Sequence, residues 1–125
     1  MNQKEVKICG KDVTLCYCYA TEIGYKAITD EDIEKFITEA RTALEEKRNP
    51  DIKRTISFLL AGITAFYEST GKESPVTDTM LMTEMTPDEL ATAYGTLLGL
   101  RSNFYHLPAG EPTDKPSEQD GEKNV

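Results

Sequence analysis

From Val6 to Tyr17 apolar and polar residues alternate. Val6, Ile8, Val13, Leu15 and Tyr17 share one face of an extended chain, and Lys7, Cys9, Asp12, Thr14 and Cys16 the other. Cys9-Gly10-Lys11-Asp12 interrupts the run, and Gly10 at the first central position of a two-residue loop suits a type II′ turn. The pattern predicts a β-hairpin that pairs Ile8 with Val13, Val6 with Leu15 and Lys4 with Tyr17. The apolar spacing then lengthens to that of a helix. Tyr19 to Ile28 predicts a short helix with Ala20, Ile23 and Ala27 inward, weakened by Gly24. Thr29 or Asp30 is the expected cap of a second helix, along which Ile33, Phe36, Ile37, Ala40, Ala43 and Leu44 keep the helical period. Asn49 as N-cap and Pro50 at N1 predict a third helix to Thr70, with Gly71 as its stop. Its inward positions are Ile52, Ile56, Leu59, Leu60, Ile63, Phe66 and Tyr67.

After a loop at Lys72-Glu73-Ser74-Pro75, Thr77 caps a short helix through Met80, Leu81 and Met82. Thr86-Pro87-Asp88-Glu89 is a capping box with proline at N1, and opens a helix through Leu90, Ala93, Tyr94, Leu97, Leu98, Phe104 and Tyr105 that Pro108 ends. Ala91, Gly95 and Gly99 form a second stripe of small residues on it. We read the stripe as a close intramolecular helix contact, with a weak homo-oligomer contact as the alternative. Residues 109–125 hold Gly110, Pro112, Pro116 and Gly121 and no periodic apolar positions, which predicts a disordered acidic tail. The expected architecture is α+β: a two-stranded N-terminal hairpin and a mainly α-helical single domain over 1–108, then the tail.

Composition narrows the function classes. The chain has 125 residues, enough for one domain with a core that needs no metal or disulfide. With 14 basic and 22 acidic residues its formal charge is −8, which argues against nucleic acid and against an anionic membrane surface. No apolar run approaches the roughly 18 residues of a membrane span, and the polar start Met1-Asn2-Gln3-Lys4-Glu5 lacks a signal core, so a cytoplasmic protein is expected. Cys9, Cys16 and Cys18 are an odd set without disulfide geometry and are expected to be free thiols.

A catalytic constellation is not visible. His106 stands at a helix end, where an imidazole suits the dipole, and no orienting partner adjoins it in sequence. The cysteine spacing is not that of a zinc site. Gly71-Lys72 is not a phosphate loop, because the first glycine of that motif falls on Phe66 and Glu73 replaces its hydroxyl residue. Glu31, Asp32 and Glu34 read as a solvated, dipole-matched helix start. The expectation is a protein that is not an enzyme and binds neither cofactor nor metal.

Val6-Lys7-Ile8-Cys9-Gly10-Lys11-Asp12-Val13-Thr14-Leu15-Cys16-Tyr17, followed by Ala20-Thr21-Glu22-Ile23-Gly24-Tyr25, resembles the opening of the tail assembly chaperones of long-tailed bacteriophages. Leu59-Leu60-Ala61-Gly62-Ile63 to Tyr67-Glu68, Thr86-Pro87-Asp88-Glu89-Leu90 and the stretch Leu100 to Pro108 are similar to the forms found in phages and prophages. The Glu73–Val76 loop, Cys16 and Cys18 depart from the family pattern.

The resemblance implies a chaperone in the bacterial cytoplasm that binds the helical tape measure protein, keeps it soluble and helps recruit tail tube subunits. Tyr67, Met80, Met82, Met85 and Tyr105 are the candidate partner contacts, because they edge the apolar stripes with amphipathic or adaptable side chains. Core packing is the other role open to each. A regulatory or adaptor module for another protein is the alternative function. Such chaperones are commonly made in two lengths by programmed frameshifting, and Glu122-Lys123-Asn124 admits an A-AAA-AAC slippery heptamer. Residues 109–121 would then be a linker.

Overall fold

The computed structural model describes residues 1–107. Strands β1 (Gln3–Ile8) and β2 (Lys11–Cys16) form a two-stranded antiparallel sheet. Five helices follow among the described residues: α1 (Tyr19–Thr29), α2 (Ile33–Glu45), α3 (Ile52–Thr70), α4 (Asp78–Thr83) and α5 (Pro87–Tyr105). The hairpin-plus-helices architecture is the α+β arrangement expected from the sequence. The proposed tail, 109–125, and the Glu122-Lys123-Asn124 run lie outside the described residues.

The sheet and α1 pack against α3, with α5 against β1 and α3. Ile8, Val13, Leu15 and Tyr17 from the hairpin meet Phe58, Leu59 and Ile63 of α3 and Ala93, Leu97 and Leu100 of α5 in one core. Gly62 lets α3 and α5 come together: a Cβ there would lie 2.8 Å from Leu97 Cδ2 and 3.0 Å from Cδ1. Asn2 fastens the start of the chain. Its Nδ2 donates to the carbonyls of Leu100 (2.6 Å) and Tyr17 (3.2 Å).

The turn differs from the expected one. Cys9 and Gly10 are the central residues, with φ of 54° and 75°, so the loop is type I′ and not type II′ at Gly10-Lys11. Ile8 pairs with Lys11, Val6 with Val13, Lys4 with Leu15, and Lys7 rather than Cys9 faces Asp12, with a 2.7 Å ion pair. Every partner moves by two positions, so the two faces keep their residues. The cause is Glu89. Its carboxylate accepts from the N–H groups of Cys9 and Gly10, each at 3.0 Å, while Oε1 also accepts from Thr86 N at 3.0 Å. One side chain therefore completes the α5 capping box and holds the turn in its left-handed conformation. These backbone donors lower the Glu89 pKa against a smaller opposing effect of burial.

Helix α1 is turned over relative to expectation. It buries Thr21 and Tyr25 and exposes Ala20, Ile23 and Ala27. Thr21 is at home inside because its hydroxyl donates to Cys16 O (2.9 Å) and accepts from Cys18 N (3.1 Å). Two caps also differ. Asp32, not Thr29 or Asp30, precedes α2, because Asp30 ends α1 in the left-handed region and Thr29 bonds back to Tyr25 O. Asp51, not Asn49, caps α3, accepting from Arg54 N at 3.0 Å. Leu44 and Ile52, expected inside, are exposed. The Ala91-Gly95-Gly99 stripe does not pack internally either: a Cβ at Gly95 or Gly99 meets nothing within 4 Å.

Candidate partner-binding cleft

The first turns of α2 enter the core. Phe36 lies 5.2 Å from the Phe58 ring centre and 6.2 Å from that of Tyr94 on α5. Further along, Ala40 is only half-buried and Leu44 is 61 % exposed, because none of the described helices covers that side of α2. An open cleft of about 390 Å³ results between α2 and α5. Ile37, Ala40 and Leu44 form one wall, and Leu98 and Leu107 stand across from them, with Gly95 and Gly99 also facing the space.

Among the described residues the charged groups lining the cleft are Arg41, Arg48 and Arg101. Arg48 Nε bonds Glu46 at 2.7 Å on the surface. Arg101 Nη2 donates to both oxygens of Glu34, at 2.9 and 2.8 Å, and ties α5 to the start of α2. Its guanidinium sits 5.5 Å from the Tyr105 ring centre. Burial opposes the Arg101 charge, but Glu34 outweighs it, and the pKa is raised above the ordinary arginine value. The buried Arg101 Nε finds no hydrogen-bond partner among the described residues.

Two further polar clusters hold the scaffold around the cleft. Glu31 and Glu39 both bind Arg54 on α3, and Tyr25 donates to Glu31. Of the acidic run at the start of α2, Glu31 is drawn in to bridge to α3, whereas Asp32, paired with Lys26 of α1, and Glu34, bonded to Arg101 of α5, keep largely exposed side chains as expected of a solvated helix start. Burial favours a neutral Glu31, yet the Arg54 and Tyr25 hydrogen bonds prevail and its pKa falls. On the other side, Tyr17 (2.8 Å) and Tyr105 both donate to Glu22 Oε2. The Tyr105 hydroxyl is pushed up to about 12, first by that hydrogen bond and then by burial.

The five sequence-selected contacts fall in separate places, and none lines the cleft. Tyr67 accepts from Thr14 N at 3.1 Å and covers the free edge of β2. Met80 and Met85 are half-buried against the core, the Met80 carbonyl accepting from the Cys9 thiol at 3.5 Å, while Met82 is 63 % exposed. Tyr105 is engaged with Glu22 and Arg101. The cleft residues left one signal in sequence: Arg41, Leu44 and Arg48 follow one another at helical spacing.

The three cysteines are free. Cys16 Sγ lies 3.9 Å from Cys18 Sγ, and burial, aided by Cys18, pushes the Cys16 thiol up to about 11. Among the described residues no group of three or more His, Cys, Asp or Glu could hold a metal ion, and no helix is long and apolar enough to cross a membrane. His106 is the left-handed residue that ends α5. No protein-family model, curated protein or solved structure matches the chain.

Proposed function

We propose that this chain is a tail assembly chaperone of a long-tailed phage or prophage, acting in the bacterial cytoplasm on the tape measure protein and assisting recruitment of tail tube subunits. The observation that carries the reading is the uncovered apolar cleft between α2 and α5. A tape measure protein exposes apolar helical stripes until the tube encloses it, and an apolar groove on a small acidic protein is suited to receiving side chains of such a stripe. The hairpin, short helix and capping box that carry the family resemblance support the same reading.

Co-expression with a tape measure fragment tests it. The fragment is expected in the soluble fraction, co-eluting with the chain. A fragment that stays insoluble while the chain elutes alone refutes the proposal. The gene neighbourhood is the cheaper check: a tail tube gene upstream and a tape measure gene downstream are expected.

A further inference from the structure

We infer that two copies of this chain join through β1, whose outer edge pairs antiparallel with the same strand of a second copy about a two-fold axis at Val6. The two hairpins then form one continuous sheet.

The backbone groups left over in the hairpin decide which strand can do this. Ile8 and Lys11 flank the two-residue loop and exchange backbone bonds, and alternation extends this to Val6–Val13 and Lys4–Leu15. Asn2 O continues the ladder by accepting from Tyr17 N at 3.1 Å. The N–H and C=O groups of Gln3, Glu5 and Lys7 therefore point away from β2, and all three residues are exposed. On the other side of the sheet the outward groups of β2 are occupied: the Tyr67 hydroxyl accepts from Thr14 N, and the Thr21 hydroxyl donates to Cys16 O. Beside β1 the surface stays open, since Lys4 borders a groove with Ala91, Gly95 and Gly99 of α5. An unpaired edge of this kind is satisfied by another strand.

The charges of β1 make a second copy the fitting occupant. Lys and Glu on an edge ordinarily keep strands apart. Here their order accepts one register of self-pairing. About Val6, Glu5 of each copy stands opposite Lys7 of the other, and each such pair exchanges both N–H···O=C bonds. Glu5 makes no ion pair among the described residues of one copy, and gains one across the join. Lys7 keeps its 2.7 Å bond to Asp12, so a row of alternating sign crosses the sheet. Val6, half-buried in one copy, meets Val6 of the second copy at a non-bonded position, where side chains approach closely. Centring the pair on Glu5 instead sets Glu5 against Glu5, which like charges disfavour. A shift by one residue turns Val6 to the wrong face. The outer edges of the joined sheet are those of β2, where Tyr67 and Thr21 already sit, so assembly closes at two copies.

Sedimentation velocity of the full chain from about 1 μM to 1 mM tests the inference. A monomer–dimer equilibrium is expected, and hydrogen exchange at the Glu5 and Lys7 amides should slow as the dimer fills. Glu5→Lys and Lys7→Glu each set like charges opposite one another at both symmetric positions, and each should weaken the dimer about tenfold or more. Combined in one chain they restore opposite pairs, so dimerisation should return. An equimolar mixture of the two single variants should associate as well. Both side chains are exposed, so circular dichroism melts at the lowest concentration should match the parent.

A monomer throughout that range overturns the inference. So does a dimer that both single variants leave intact, or one that they weaken and the double variant does not restore. Exchange at Glu5 and Lys7 that ignores concentration overturns it too. A monomer whose Glu5 and Lys7 amides slow only when an unrelated extended peptide is added would assign the edge to a foreign strand, and so would also overturn it.

Discussion

Glycine-to-alanine substitutions at three helical positions should have opposite signs. In a helix interior the change gains about 0.8–1.0 kcal/mol from propensity. At Gly95 and Gly99 the new methyl meets nothing within 4 Å, so the gain is unopposed. At Gly62 it would lie 2.8 Å from Leu97 Cδ2. Leu97 would have to retreat about 0.7 Å to restore ordinary carbon–carbon contact. It is fully buried, and Cys16 O stands 3.4 Å away on another side of the new methyl. Overpacking of this kind costs about 1–3 kcal/mol, which leaves Gly62→Ala destabilising by about 1 kcal/mol after the propensity gain. The two kinds of substitution should therefore differ by about 2 kcal/mol, or roughly 8–16 °C in thermal midpoint for a domain of this size. Far-UV circular dichroism melts, checked by urea midpoints at constant m-value, measure the difference. A Gly95→Ala midpoint below that of the parent would refute the reasoning, since it would mean that the stripe is already packed. A stabilising Gly62→Ala would refute the α3–α5 contact.

Stability should fall in acid from two carboxylates. The pKa values of Glu31 and Glu89 are lowered in the fold, so their contribution is complete above the unfolded value of about 4.3 and is lost as pH drops through the lower folded values; urea midpoints against pH check this, and Arg54→Met should flatten the profile. Arg54→Met should itself cost about 2–3 kcal/mol at neutral pH, because it strands the partly buried Glu31 carboxylate; a change under about 0.5 kcal/mol would contradict that role. Tyr67→Phe should cost about 1 kcal/mol by releasing Thr14 N, and hydrogen exchange at Thr14 should accelerate. In native protein Cys16 should react with a thiol reagent far more slowly than Cys18, and unfolding without reductant should expose three thiols; a count of one would mean a disulfide.

Many elements were legible where local chemistry decides them, although the α3 cap, Asp51 bonded to Arg54 three residues on, was expected at Asn49. The Thr86 capping box, the Thr77 cap and the Gly71 stop are satisfied by residues three or four positions away, and each was readable. Most of what could not be read depends on distant partners. A left-handed Cys9 is unfavourable by itself, and only Glu89, 80 residues later, makes it the turn residue. Helix α1 buries Thr21 rather than Ile23 because a strand-end carbonyl receives the hydroxyl, a fact invisible to hydrophobic periodicity. The cleft likewise exists only where α2 and α5 meet. In sequence Leu44 looks like a core residue, and the glycine stripe looks like a contact already made.

The Glu89 clasp also has a consequence in time. Its acceptor and donors are separated by 80 residues, so at ordinary synthesis rates of about 5–20 residues per second the turn is translated roughly 4–16 s before the side chain that holds it. A lone two-stranded hairpin is marginal in water. During that interval the nascent N-terminus must sample other turns, including the Gly10-Lys11 loop that local preference favours. Arrival of α5 selects the final register. Helix α5 thus acts as the proofreader of the first turn, and a ribosome that stalls before residue 89 would hold a chain whose opening strands remain undecided.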